Sequence, residues 1–126
     1  MMKKISLEEV ILFHKKIVKQ TGGSSDIRDI TLVESALKNA DMSFGGKDLY
    51  PSIEEKISVI LYAIINNHGF IDGNKRIGVS MMLLLLEINN IKIKYKQHEI
   101  VDLGLKVASG EYDKNDILVW INKHKK

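Results

Sequence analysis

Apolar residues recur along this chain every three or four positions, in stretches separated by clusters of Gly, Ser, Asn and Asp. That spacing lines up one face of a helix for burial. The first stretch opens at Ser6 with Glu9 three residues on, a capping-box pattern. Leu7, Val10, Ile11, Phe13, Ile17 and Val18 follow at helical spacing, and Gly22–Gly23 ends the run. Thr31 with Glu34 repeats the box and predicts a short helix to about Asn39. Ser52 before Glu54–Glu55 predicts a third helix to about Asn67, with Ile57, Ile60, Leu61, Ile64 and Ile65 as its buried stripe. From about Asn74 to Asn90 the chain is apolar nearly all round, which predicts a helix wrapped by the others. "HEIVDLGLKVASG", ended by Gly110, and "DKNDILVWINKH" supply two more short helices. "IKIKYK" alternates with a period of two, the mark of a brief extended segment. "SFGGKDLYPS" (Ser43–Ser52) is too rich in Gly and aromatics for helix and predicts an ordered loop or small hairpin. No repeat and no domain boundary interrupts the pattern. The expectation is one all-α domain over residues 1–126, about six helices around a central buried one.

Composition narrows the chemistry. At 126 residues, 44% hydrophobic and 28% charged, the chain suits one ordered domain with a real core. It has no Cys, which excludes disulfides, thiolate ligands and a Cys nucleophile and fits a reducing, cytoplasmic setting. A net charge of +3 with no basic stripe gives no nucleic-acid footprint. The basic end "KHKK" reads as a solvated helix terminus. "MMKKISLEEVILF" lacks the apolar run of a secretory signal, and Gly78, Ser80 and Glu87 interrupt the longest apolar stretch. Crossing a membrane takes about 20 apolar residues, so no membrane partner is expected. His14, His68, His98 and His124 are scattered without zinc-ligand spacing.

The polar segment "NNHGFIDGNKRIG" (Asn66–Gly78) sits between the two most apolar helices. Much of it has a structural explanation: Asp72–Gly73 is a turn pair, Asn74 a suitable helix N-cap, Phe70 a core anchor, and His68 a cap for terminal carbonyls. Lys75 and Arg76 fit less well, because cations in a first helical turn oppose the helix dipole. A helix N-terminus with two added cations suits an anion, most readily phosphate. The residues alone leave both readings open, connector or anion site. A Walker A loop is excluded, because Asn74 and Arg76 stand where it needs its second Gly and its hydroxyl.

"HGFIDGNKR" (His68–Arg76) resembles the motif of the Fic/Doc superfamily, His-x-Phe-x-Asp/Glu-Gly/Ala-Asn-Gly/Lys-Arg. "SLEEVILFH", "GGSSDIRDITLVESAL", "FGGKDLYPSIEEK" and "VASGEYDKNDILVWI" are similar to the Doc (death-on-curing) branch, so the resemblance spans almost the whole chain. It implies a Fic/Doc-type bundle and transfer from ATP to a protein hydroxyl. Fic enzymes usually attach AMP, whereas Doc toxins move the γ-phosphate to a threonine of elongation factor Tu and halt translation. On that basis His68 is the general base and Asp72 holds Mg²⁺. Gly73, Asn74 and Lys75 form an anion hole, and Arg76 neutralises charge on the phosphoryl oxygens.

Four positions depart from the wider family or its branches. Gly69 stands where many Fic proteins have Pro. Lys75 and Val79 stand where AMP-transferring members have Gly and Arg, which favours phosphate transfer, and Gly73 stands where the familiar Doc sequence has Ala. Self-restrained Fic proteins carry a Ser/Thr-x-x-x-Glu-Gly/Asn helix; no Glu here precedes Gly or Asn, so a separate antitoxin is the implied inhibitor. Phe44, Gly45, Gly46 and Lys47 align with the flap that positions the target segment, the alternative being a plain loop that packs Phe44 and Tyr50 into the core. Two other readings remain: AMP transfer on the same scaffold, and a non-catalytic nucleotide-binding domain.

Overall fold

The computed structural model describes residues 2–126, and its helices start where the sequence supplies a cap. In chain order they are α1 (Leu7–Thr21), α2 (Ile30–Lys38), α3 (Ile53–Asn67), α4 (Asn74–Ile88), α5 (Gln97–Ala108) and α6 (Lys114–His124). A 3-10 turn (Asn39–Asp41) and a hairpin of β1 (Ser43–Phe44) and β2 (Lys47–Asp48) lie between α2 and α3. The all-α expectation holds.

Ser6 forms the expected capping box with Glu9, and Ser52, expected only to open α3, forms a second box with Glu55. Two caps differ. Asp29, not Thr31, caps α2; its carboxylate accepts from the Thr31 N–H at 3.0 Å and the Thr31 hydroxyl at 2.5 Å. A carboxylate at a positive helix end outcompetes a hydroxyl as acceptor. The N-cap of α4 is Gly73, and Asn74 is its first helical residue.

Helix α3 is the hub, touching α2, the 3-10 turn, α4, α5 and α6. Ile57, Leu61 and Ile65 of α3 meet Ile77, Met81, Leu85 and Leu86 of α4 in the core, all fully buried. Only Lys75, Arg76 and Glu87 of α4 are exposed, as its all-round apolar sequence requires. The two helices come unusually close at Gly78, where a Cβ would lie 2.7 Å from Ile65 Cγ1.

The "FGGK" segment is a two-residue hairpin, Phe44 opposite Lys47, with Gly45 at φ 60° and Gly46 at φ 80°. Two successive positive φ angles suit the twist of a tight hairpin. Phe44 is 83% exposed, so it does not pack into the core. Tyr50 is partly buried, its hydroxyl accepting from Lys114 at 2.9 Å. "IKIKYK" yields a single bridge, Ile93 to Lys125. The basic end is pinned rather than free. Lys125 bonds Glu54, and His124 stacks on Trp120 with its Nε2 2.9 Å from Glu99. No helix among the described residues is long and apolar enough to cross a membrane.

Candidate active site

The segment between α3 and α4 is short, and bonds from α1 and from the α1–α2 connector hold nearly every residue in it. His68 ends α3 in the left-handed region, φ 52° and ψ 47°, a conformation costly for a residue with a Cβ. Its carbonyl accepts from Arg28 Nε at 2.7 Å, and Arg28 Nη2 reaches the Asn67 carbonyl at 3.2 Å. Helix C-terminal carbonyls need donors, and this guanidinium supplies them from another part of the chain. The Gly69 carbonyl accepts from the N–H groups of Arg28 and Asp29, both at 2.9 Å. Phe70 is 1% exposed and forms an isolated bridge with Ile27. With its backbone so tied, the exposed His68 side chain is left free for solvent or a ligand.

The Asn74 side chain turns back on the loop. Its Oδ1 accepts from Phe70 N–H at 3.1 Å, and its Nδ2 donates to the Phe70 carbonyl at 2.8 Å. Its amide is therefore used in shaping the turn rather than in presenting a donor to an anion. Gly73 sits at φ 80°, and a Cβ there would lie 3.1 Å from Val18 Cγ1. The first intrahelical bond of α4 runs from Ile77 N–H to the Gly73 carbonyl at 2.8 Å, so the N–H groups of Asn74, Lys75 and Arg76 precede it without helical partners.

Asp72 is exposed, and its Oδ2 accepts from the Ser24 N–H at 3.0 Å. Lys75 and Arg76 are exposed, and neither pairs with an acidic side chain among the described residues. The Lys75 stem leans on α5, its Cγ 3.1 Å from the place a Cβ would take on Gly104. His68, Asp72, Gly73, Asn74, Lys75 and Arg76 share one open cavity of ≈ 500 Å³ with Val18, Thr21, Gly22 and Gly23. The volume is that of an ordinary small-ligand pocket. The hairpin residues Phe44, Gly45, Gly46 and Lys47 do not line it.

The Fic/DOC family model matches residues 4–86, which include α1 to most of α4 and this whole segment. The chain belongs to the Fic/DOC family. It is also similar to the protein named Toxin Doc of Mycolicibacterium smegmatis, 29% identical over 98 residues, which cover 76% of this chain and 75% of that protein. That similarity supports the Doc branch of the Fic/DOC family.

Sequence reading missed three contributors to the site. Arg28 braces the end of α3, Ser24 holds Asp72, and His14 is buried beneath the segment. Their partners lie 40, 48 and 58 residues away, and no local pattern encodes contacts at that range.

Proposed function

We propose that this protein is a Doc-type toxin of a toxin–antitoxin pair, which transfers the ATP γ-phosphate to a Ser or Thr hydroxyl of a translation factor. Elongation factor Tu is the first candidate target. Residues 1–126 act as one Fic/Doc domain, in keeping with a single core cluster drawn from all six helices. The observation that carries the reading is the pairing, in one cavity, of an exposed imidazole with a helix start bearing two cations that have no acidic partner among the described residues. The phosphates of ATP supply the anion that such a helix end favours.

In this reading the target hydroxyl gives its proton to neutral His68 as its oxygen attacks the γ-phosphorus. The bond from that phosphorus to the oxygen shared with the β-phosphate breaks, and ADP leaves. Arg76 and the N–H groups of Asn74, Lys75 and Arg76 take up the charge growing on the phosphoryl oxygens. Gly73 keeps the turn tight enough for those N–H groups to face outward. The Phe44–Lys47 hairpin, its aromatic side chain in solvent, would line up the target segment as an added strand.

Asp72 fits Mg²⁺ as a hard oxygen donor. One carboxylate oxygen is steadied by Ser24, and no cluster of three or more His, Cys, Asp or Glu surrounds it among the described residues. A metal here would take its other ligands from phosphate and water, as Mg²⁺ commonly does. When bound, it supplies charge neutralisation across the phosphates. The expected partner is an antitoxin that blocks this cavity, and the expected setting is the cytoplasm.

AMP transfer is the second reading. With the Lys75 stem berthed against α5, its bulk argues less strongly against a pyrophosphate lying close to the loop, and only its charge still favours phosphate transfer. ATP labelled in turn at the γ- and α-phosphate, with elongation factor Tu as substrate, separates them. Label on the target from γ alone supports the kinase, and label from α alone supports AMP transfer. Absence of both, with no ATP binding in Mg²⁺, leaves a non-catalytic domain.

A further inference from the structure

His14 occupies a position that the pattern of α1 reserves for an apolar side chain. Val10, Ile17 and Val18 surround it on the buried face, and all four residues are buried. An imidazole there loses its hydration, so it needs a reason beyond packing. The reason is visible in its contacts. Its ring stacks on Phe70 at 3.7 Å between centroids and 14° between planes. Its Nε2 lies 2.6 Å from the Asp72 carbonyl oxygen. A carbonyl only accepts, so the proton sits on Nε2 and the ring is the Nε2–H tautomer. Nδ1 then carries a lone pair and meets no donor, the one buried side-chain nitrogen or oxygen without a partner among the described residues. Nothing on the Nδ1 side competes for the ring, and the geometry is spent on Asp72.

We propose that His14 is the positioning residue for Asp72. Its Nε2–H holds the Asp72 carbonyl, and the stack on Phe70 holds the ring. Together they fix the peptide joining Asp72 to Gly73, so that the carboxylate meets Ser24 N–H and faces the cavity. His14 also stands 3.4 Å from the place a Gly73 Cβ would take, so the same ring backs the left-handed turn that starts α4. The idea rests on the reading of Asp72 as the metal-side carboxylate, but its structural half can be tested without that reading.

The test uses the full chain with His14→Phe, which keeps the stack and the volume but has no donor, and His14→Gln, whose terminal amide restores one. Histidine ¹⁵N spectra of the wild type are expected to place the His14 proton on Nε2; a proton on Nδ1 overturns the proposal whatever the variants do. ATP affinity is then measured with and without Mg²⁺. His14→Phe is expected to lose about tenfold of the Mg²⁺-dependent gain, to keep Mg²⁺-free affinity, and to lower kcat more than KM. His14→Gln should recover most of the loss. Equal loss with and without Mg²⁺, or no loss, contradicts positioning, as does a folded His14→Gln that rescues nothing. If the wild type binds no nucleotide, the proposed function fails, and amide exchange still decides on His14. Ser24 N–H, held by the Asp72 carboxylate, should exchange faster in His14→Phe and return in His14→Gln; unchanged exchange overturns the proposal.

Discussion

Gly69 is where the segment from His68 to Gly73 meets the second helix, and replacing it with Ala gives the sharpest energetic test of the fold around the candidate site. A Cβ at this position would lie 2.5 Å from Val33 Cγ2, 3.1 Å from Val33 N and 3.3 Å from the Asp29 carbonyl oxygen. The first distance cannot stand, so either Val33 or the loop must move. Val33 is 2% exposed and has little room to turn. Overpacking of this kind costs about 1–3 kcal/mol. Stiffening the unfolded chain by Gly→Ala returns about 0.4–1 kcal/mol. The net loss expected for Gly69→Ala is therefore about 0–2.6 kcal/mol with a centre of about 1.3 kcal/mol, or roughly 5 °C in Tm for a chain of this size. The specific claim is that Val33 Cγ2 causes it. Val33→Ala removes that methyl at its own cost, and Gly69→Ala in that background should then cost less, the remainder set by the backbone contacts to Val33 N and the Asp29 carbonyl. Urea unfolding of the four members of the cycle should give a favourable coupling of about 1 kcal/mol or more. Additivity within about 0.5 kcal/mol, or a stabilised Gly69→Ala, would refute the reasoning. Transfer activity should follow the same cycle, because the displaced Gly69 carbonyl is the one that Arg28 and Asp29 hold beside His68.

Three further outcomes are expected. His68→Gly should lose transfer by about 100-fold or more yet gain about 0.5–1 kcal/mol of stability, since Gly accepts the left-handed end of α3 without strain; a destabilised variant would contradict the strain. Arg28→Ala should lower kcat with little change in ATP affinity, because it frees the carbonyls of Asn67 and His68 while leaving the α4 helix start intact; an equal fall in nucleotide binding, read by calorimetry, would count against this. Lys125 bonds Glu54 and holds its carboxyl below the ordinary 4.5. The stabilisation is thus present above that value and lost as pH falls through the lower folded-state value. Glu54→Gln should flatten the fall of the urea midpoint below pH 4.5, and a slope equal to wild type would remove Lys125 as the cause.

The sequence was most legible where the physics is local. Ser6–Glu9 and Ser52–Glu55 mark helix starts because a cap and its partner lie three residues apart. The "GG" of the hairpin is legible for the same reason. Asp29 was overlooked as the α2 cap because Thr31–Glu34 offers a competing box, and only the folded backbone decides which oxygen reaches the free N–H groups. The candidate residues from His68 to Arg76 could be named from their order in the chain. Their support could not, because His14, Ser24 and Arg28 reach the segment through tertiary contacts. The change of role at Asn74, from cap to loop brace, has the same origin: its amide is satisfied by a neighbour four residues back once Phe70 is pulled into the core.

The missing side chain at Gly78 has a consequence beyond packing. It sits two residues past Arg76 and lets α4 press directly on Ile65, three residues before His68. The separation between His68 and the start of α4 is therefore a property of the interior. The same segment on a scaffold with Ala at this contact would keep its order of residues and lose its spacing. The spacing across the candidate site is set by a side chain that the core has no room for.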